Sequence, residues 1–168
     1  GNQVLNSQAS GSVTGASDVG GLIGAASLTG NVLNSNASSS VTSNSTAGGL
    51  IGFTNGGNVT NSYATGNVSG GGSVGGLIGS ILGPSHISNS YATGSVSGKK
   101  ASSAGGLIGS ANGGGQDSYV TNSYARGNVS GDLYVGGLIG TANSLTVSNT
   151  YALGQVLGNK YFGGLIGA

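Results

Sequence analysis

Apolar and polar positions alternate in short bursts along this chain, and the bursts recur. The clearest reads Val59-Thr60-Asn61-Ser62-Tyr63-Ala64-Thr65-Gly66-Asn67-Val68-Ser69-Gly70. A strand alternates its faces with period two. Val59, Asn61 and Tyr63 share one parity, whereas Ala64, Gly66 and Val68 share the other. For Val59, Ala64 and Val68 all to point inward, the chain has to turn or bulge near Asn-Ser-Tyr. Asn tolerates the left-handed backbone that such a corner needs. The pattern therefore predicts short strands separated by Gly or Asn corners, two or three to each burst.

The bursts are repeats. Gly-Gly-Leu-Ile-Gly begins at Gly20, Gly48, Gly75, Gly105, Gly136 and Gly163, at spacings of 28, 27, 30, 31 and 27. Between the pentapeptides the Asn recurs at Asn6, Asn34, Asn61, Asn89, Asn122 and Asn149. Ala recurs at Ala9, Ala37, Ala64, Ala92, Ala125 and Ala152, and Val at Val13, Val41, Val68, Val96, Val129 and Val156. Length varies in two places, before the pentapeptide (Gly98 to Ala104) and after it (Ser110 to Tyr119). Both are expected to be loops.

Gly, Ser, Asn, Thr and Val are poor helix formers, so helical repeats are excluded. The unit is too short for a propeller blade and lacks the skeleton of a leucine-rich repeat. What remains is an all-β fold. We expect a parallel β-solenoid (β-helix) of about six coils, one per 27–31-residue repeat, filling residues 1–168 as a single domain. Equivalent positions would then stack at about 4.8 Å, and six coils would make a rod about 29 Å long. No coil buries its apolar face alone, so stability has to come from stacking. Ala and Val suit a narrow interior. The six Asn form an internal or corner ladder, able to hydrogen-bond along the stack. Leu and Ile of the pentapeptide are adjacent, so a regular strand would point them to opposite sides. Both ladders are expected inside one subunit, with the glycines letting another backbone approach closely. A lateral contact stripe is the alternative.

These residues resemble the GLUG motif of bacterial surface proteins, including haemagglutinin-like adhesins and some IgA-specific metallopeptidases. The resemblance spans essentially the whole chain and is most specific for Val59 to Gly79, Ile87 to Gly109 and Val120 to Gly140. The first two repeats depart from it, with Gln8 and Asn36 in place of Tyr and Ser39 in place of Gly. It implies a passive stalk or adhesive module. The peptidase relatives work through an H-E-x-x-H zinc helix that this chain lacks, so no catalytic residue carries over.

Composition agrees with a core-forming chain rather than a disordered one: 36% apolar, net charge +1, and 38 Gly among 168 residues. One Pro and no Gly every third residue exclude collagen. Four cations cannot make a nucleic-acid face. No apolar stretch reaches membrane-helix length, the best being Gly20 to Leu28. The absence of Cys is compatible with a secreted or cell-surface protein. No enzyme, cofactor or metal is expected. Gly71-Gly72-Ser73-Val74-Gly75 fits G-x-S-x-G, but in Gly/Ser-rich filler rather than a strand–turn–helix. Gly94 to Lys100 lacks P-loop spacing. His86, after Pro84, reads as a solvated loop side chain, and Lys99-Lys100 as a loop tip. Asp18, Asp117 and Asp132 fall at non-equivalent positions. Sequons stand at Asn36, Asn44, Asn58, Asn67 and Asn128.

The candidate contact surface is the ladder Tyr63, Tyr91, Tyr124 and Tyr151, a flat platform for sugar rings or another subunit. Beside it runs a mixed column, Ser10, Ser38, Thr65, Thr93, Arg126 and Leu153, less regular than the Thr face of an ice-binding solenoid, so that ice binding is the lesser alternative. Neither end reads as a cap. The function expected is a non-enzymatic extracellular rod. Its partners are copies of itself, stacked head to tail or side by side, in a fibre, stalk or adhesin. The alternative is a glycan- or surface-binding module using the Tyr ladder.

Overall fold

The computed structural model describes residues 2–27, 30–114 and 118–168. Leu28 and Asp117 lie outside these. Among the described residues there is no helix, and the chain winds as a parallel β-solenoid of about six turns.

Each turn passes through four stacked sheets rather than two or three strands. The extra segments are only two or three residues long, such as Tyr63–Ala64 and Val68–Ser69. One sheet carries Val59 in register with Val32 and Ile87. The second carries Tyr63-Ala64 over Asn36-Ala37 and under Tyr91-Ala92. The third aligns Val41, Val68, Val96 and Val129, and the fourth aligns Ala47, Val74, Ala104 and Val135. Every pairing is parallel and joins the same repeat position, so the period read from the sequence is the pitch of the coil.

The interior is divided in two. The larger core holds Val32, Val59, Ile87 and Val120, the Ala ladder, and the pentapeptide Leu and Ile. The smaller holds Val41, Val68, Val96 and Val129 with Ala47, Val74, Ala104 and Val135. A β-carbon on Gly76 would collide with the Gly106 carbonyl oxygen and approach Ala92 Cβ to 2.9 Å; one on Gly75 would collide with the Ile78 carbonyl oxygen. Only glycine fits, and the same collisions recur at Gly48, Gly49, Gly105 and Gly106.

Both Leu and Ile ladders are internal, as expected. Leu50, Ile51, Leu77, Ile78, Leu107, Ile108, Leu138 and Ile139 are all fully buried. The chain bends at Gly-Gly-Leu, and the amides of Leu77 and Ile78 both donate to the Leu107 carbonyl, at 2.8 and 3.0 Å. That pinch cancels the alternation and turns both side chains inward.

The two loop expectations fare differently. Lys99-Lys100 is a turn tip. Of the segment expected as a loop, Ser110 to Tyr119, the start belongs to strand Ile108–Asn112 and the end to strand Tyr119–Thr121, and residues 115–117 lie outside the described ones. In the two preceding turns the equivalent segment is continuous strand, Ile51–Thr60 and Ile78–Ser88. Pro84 and His86 therefore lie in a strand, not a loop. Proline cannot donate to a ladder. Here it sits where the register slips, between the pairs Asn55↔Leu82 and Gly57↔Ser85.

Candidate functional site

The corner after Val59 organises the outer surface. Asn6, Asn34, Asn61, Asn89, Asn122 and Asn149 all adopt φ of 49–52°. This is the left-handed turn the parity argument requires, and Asn accepts it more readily than most residues. All six are exposed, so the ladder is a corner and not an internal one. Asn34 Nδ2 donates to Asn6 Oδ1 at 3.2 Å, and Asn61 Nδ2 to Asn34 Oδ1 at 3.3 Å.

A ladder unnoticed in the sequence lies one residue on. Ser35, Ser62, Ser90 and Ser123 are buried. The Ser35 amide donates to Ser62 Oγ at 3.1 Å, Ser62 to Ser90 Oγ at 3.2 Å, and Ser90 to Ser123 Oγ at 3.2 Å. Each of these hydroxyls donates back to the carbonyl two residues earlier, as Ser62 Oγ does to Thr60 at 2.9 Å. The hydroxyls thus replace backbone carbonyls where the corner breaks the ladder, which a buried amide requires. The signal was available: Ser follows the corner Asn in five of six repeats, and Thr150 in the sixth.

Beyond the serines, the tyrosines point outward. Tyr63, Tyr91, Tyr124 and Tyr151 stack with centroids 4.8, 4.9 and 4.9 Å apart and planes within 2° of parallel. Their separation matches the strand spacing, so the ring faces lie against one another along the axis. What the ladder offers laterally is a row of ring edges and hydroxyls. A sugar cannot lie flat on a face that the next tyrosine covers. Burial pushes the Tyr91 hydroxyl above its usual pKa, with Tyr124 and Tyr63 adding to the effect. Arg126 lies over the Tyr124 ring, 5.1 Å from its centroid. Its guanidinium is held further above its usual pKa, first by a hydrogen bond to Tyr151 and then by the charges of Tyr151 and Tyr124 once ionised. The neighbouring positions Ser10, Ser38, Thr65, Thr93 and Leu153 are exposed, in one column with Arg126.

The other candidates are dispersed. His86 stacks obliquely on Tyr119 at 5.1 Å. Asp132 accepts from Asn159 Nδ2 at 2.6 Å, and Asp18 stands in the first turn with φ 48°. Among the described residues no three metal-ligating side chains gather. Ser73 begins the strand Ser73–Gly75, paired in register with Ser103–Gly105 and not raised on a strand-to-helix turn. A second, shorter aromatic stack joins Tyr134 and Tyr161 at 5.2 Å.

The repeats match a known family in part. Residues 43–69 and 70–97 each match the family model of the GLUG motif, so the chain carries GLUG-motif repeats. Each matched stretch contains one pentapeptide and the Asn-Ser-Tyr-Ala corner that follows it. No curated protein and no solved structure matches the chain. GLUG-motif repeats wound into a β-solenoid fit a structural repeat protein.

Proposed function

We infer that the chain is a non-catalytic extracellular rod, secreted or held at the cell surface, whose coils stack end to end with those of further copies in a fibre or surface stalk. One observation carries the reading: each turn offers its neighbours the same four strand edges in the same register. A further coil, supplied by another copy, meets the pairing that an inner coil already makes. Such a contact is heterologous and propagates without closing. Near-neutral charge removes the repulsion that would oppose it.

Negative-stain microscopy of the purified chain tests this. Unbranched filaments with an axial repeat of about 29 Å are expected, six strand spacings. Monodisperse short particles at high concentration would overturn end-to-end assembly.

A further inference from the structure

The fourth repeat differs from the others by an insertion, and the insertion is built into the fold. The Ala101 amide donates to the Gly98 carbonyl at 2.8 Å, closing a turn whose tip is Lys99-Lys100. Ala101 is itself buried in the smaller core. Half of the chain's four cations are therefore held side by side on an anchored turn.

That turn stands between two grooves of opposite character. On one side it faces Ser130, Gly131, Asp132 and Asn159 across about 350 Å³. There the Asp132 carboxylate opposes an incoming anion. On the other side it faces Thr42, Asn44, Ser69 and Gly70 across about 400 Å³, and no lining residue is acidic. This second groove continues into a further hollow of about 280 Å³ over Ser40, Asn67, Ser95 and Ser97, with Thr42 and Ser69 common to both. The result is a shallow trough lined mainly by Ser, Thr and Asn together with Val41 and Val68, with Lys99 and Lys100 among the residues at one end. Hydroxyls and amides both donate and accept, as sugar hydroxyls do, whereas a lysine offers donors alone.

We propose that this trough binds an oligosaccharide carrying carboxylate or sulfate groups, with Lys99 and Lys100 on the acid group and Thr42, Ser69, Asn67 and Ser95 along the sugar hydroxyls. The site is separate from the Tyr ladder and does not depend on fibre assembly.

Titration calorimetry on the full chain tests it with four probes. These are a galacturonic acid hexamer, its methyl ester, a heparin-derived hexasaccharide and inorganic sulfate. Binding of the first or the third is expected: the galacturonic acid hexamer binding identifies carboxylate, which both carry, and the heparin hexasaccharide binding without it identifies sulfate. Lys99→Gln with Lys100→Gln should weaken that binding at least about tenfold, the loss of one charge-assisted hydrogen bond. Arg126→Gln with Lys160→Gln should leave it unchanged. Equal weakening by both pairs would reduce the effect to general charge attraction and overturn the site. Equal binding of the ester would overturn the role of the lysines. Sulfate binding as tightly as the sugars would overturn the trough, and failure of both acidic sugars would overturn the whole proposal.

Discussion

Replacing Ser62 by Ala isolates what the buried serine ladder contributes. Ser62 Oγ accepts from the Ser35 amide at 3.1 Å and donates to the Thr60 carbonyl at 2.9 Å. The carbonyl keeps a second donor, the Asn34 amide at 3.1 Å. The loss therefore concentrates on the Ser35 N–H, in a residue with no solvent exposure. A buried donor left without an acceptor costs about 1–3 kcal/mol. Global unfolding is a poor readout, because repeat arrays depart from two-state behaviour. Residue-resolved hydrogen exchange is better, since it reports local opening. The Ser35 amide should exchange about 5- to 150-fold faster, the same energy read as an equilibrium. The Ser90 amide should hold its rate, because its own acceptor, Ser123 Oγ, lies two coils from the change and is left intact. An unchanged Ser35 rate, or equal acceleration throughout, would refute the ladder's role.

The glycines give a sharper contrast. Gly76→Ala should destabilise by about 3 kcal/mol or more, at the top of the overpacking range, because the obstructing atom is backbone. In the isolated chain Gly164, at the same pentapeptide position, has nothing within 4 Å, so Gly164→Ala should leave the monomer's melting temperature nearly unchanged and obstruct only a further coil stacked on it. Asn61→Ala forces an ordinary residue to φ 51° and should cost about 1–2 kcal/mol, whereas Asn61→Gly should melt closer to the parent. In the tyrosine ladder the folded state favours the neutral phenol, since Tyr91 is raised above 10.0. Its contribution is complete below pH 10 and lost as pH climbs through the folded value. Denaturant midpoints should therefore fall on the alkaline side, and Tyr91→Phe should blunt the fall.

Much of this architecture was legible in the residues because a solenoid writes its pitch into the chain. Six intact pentapeptides fixed the number of turns, and the parity change between Val59 and Ala64 located the corner that Asn61 makes. The packing across the coil was harder to read. Alternation says that Val68 is buried but not on which side of the Gly-Gly backbone, so the division into two cores was hidden. Ser62 looked like filler because its burial depends on an amide from the neighbouring coil. The tyrosine column was visible, but ring orientation was not. A platform of ring faces and a row of ring edges have the same sequence, and the structure shows edges.

In-register stacking between copies is tested most directly by a disulfide placed in one column. Leu5, Leu33, Thr60, Ser88, Thr121 and Ser148 lie above one another through the coils. The native chain has no cysteine to interfere. If a second copy continues the stack, its Leu5 sits about 4.8 Å from Ser148 of the first, within disulfide reach. Oxidised Leu5→Cys/Ser148→Cys chains should run as a covalent ladder on a denaturing gel. A Leu5→Cys/Leu153→Cys control, with its cysteines in different columns, should stay monomeric. No ladder from the first pair, or equal ladders from both, would contradict the account.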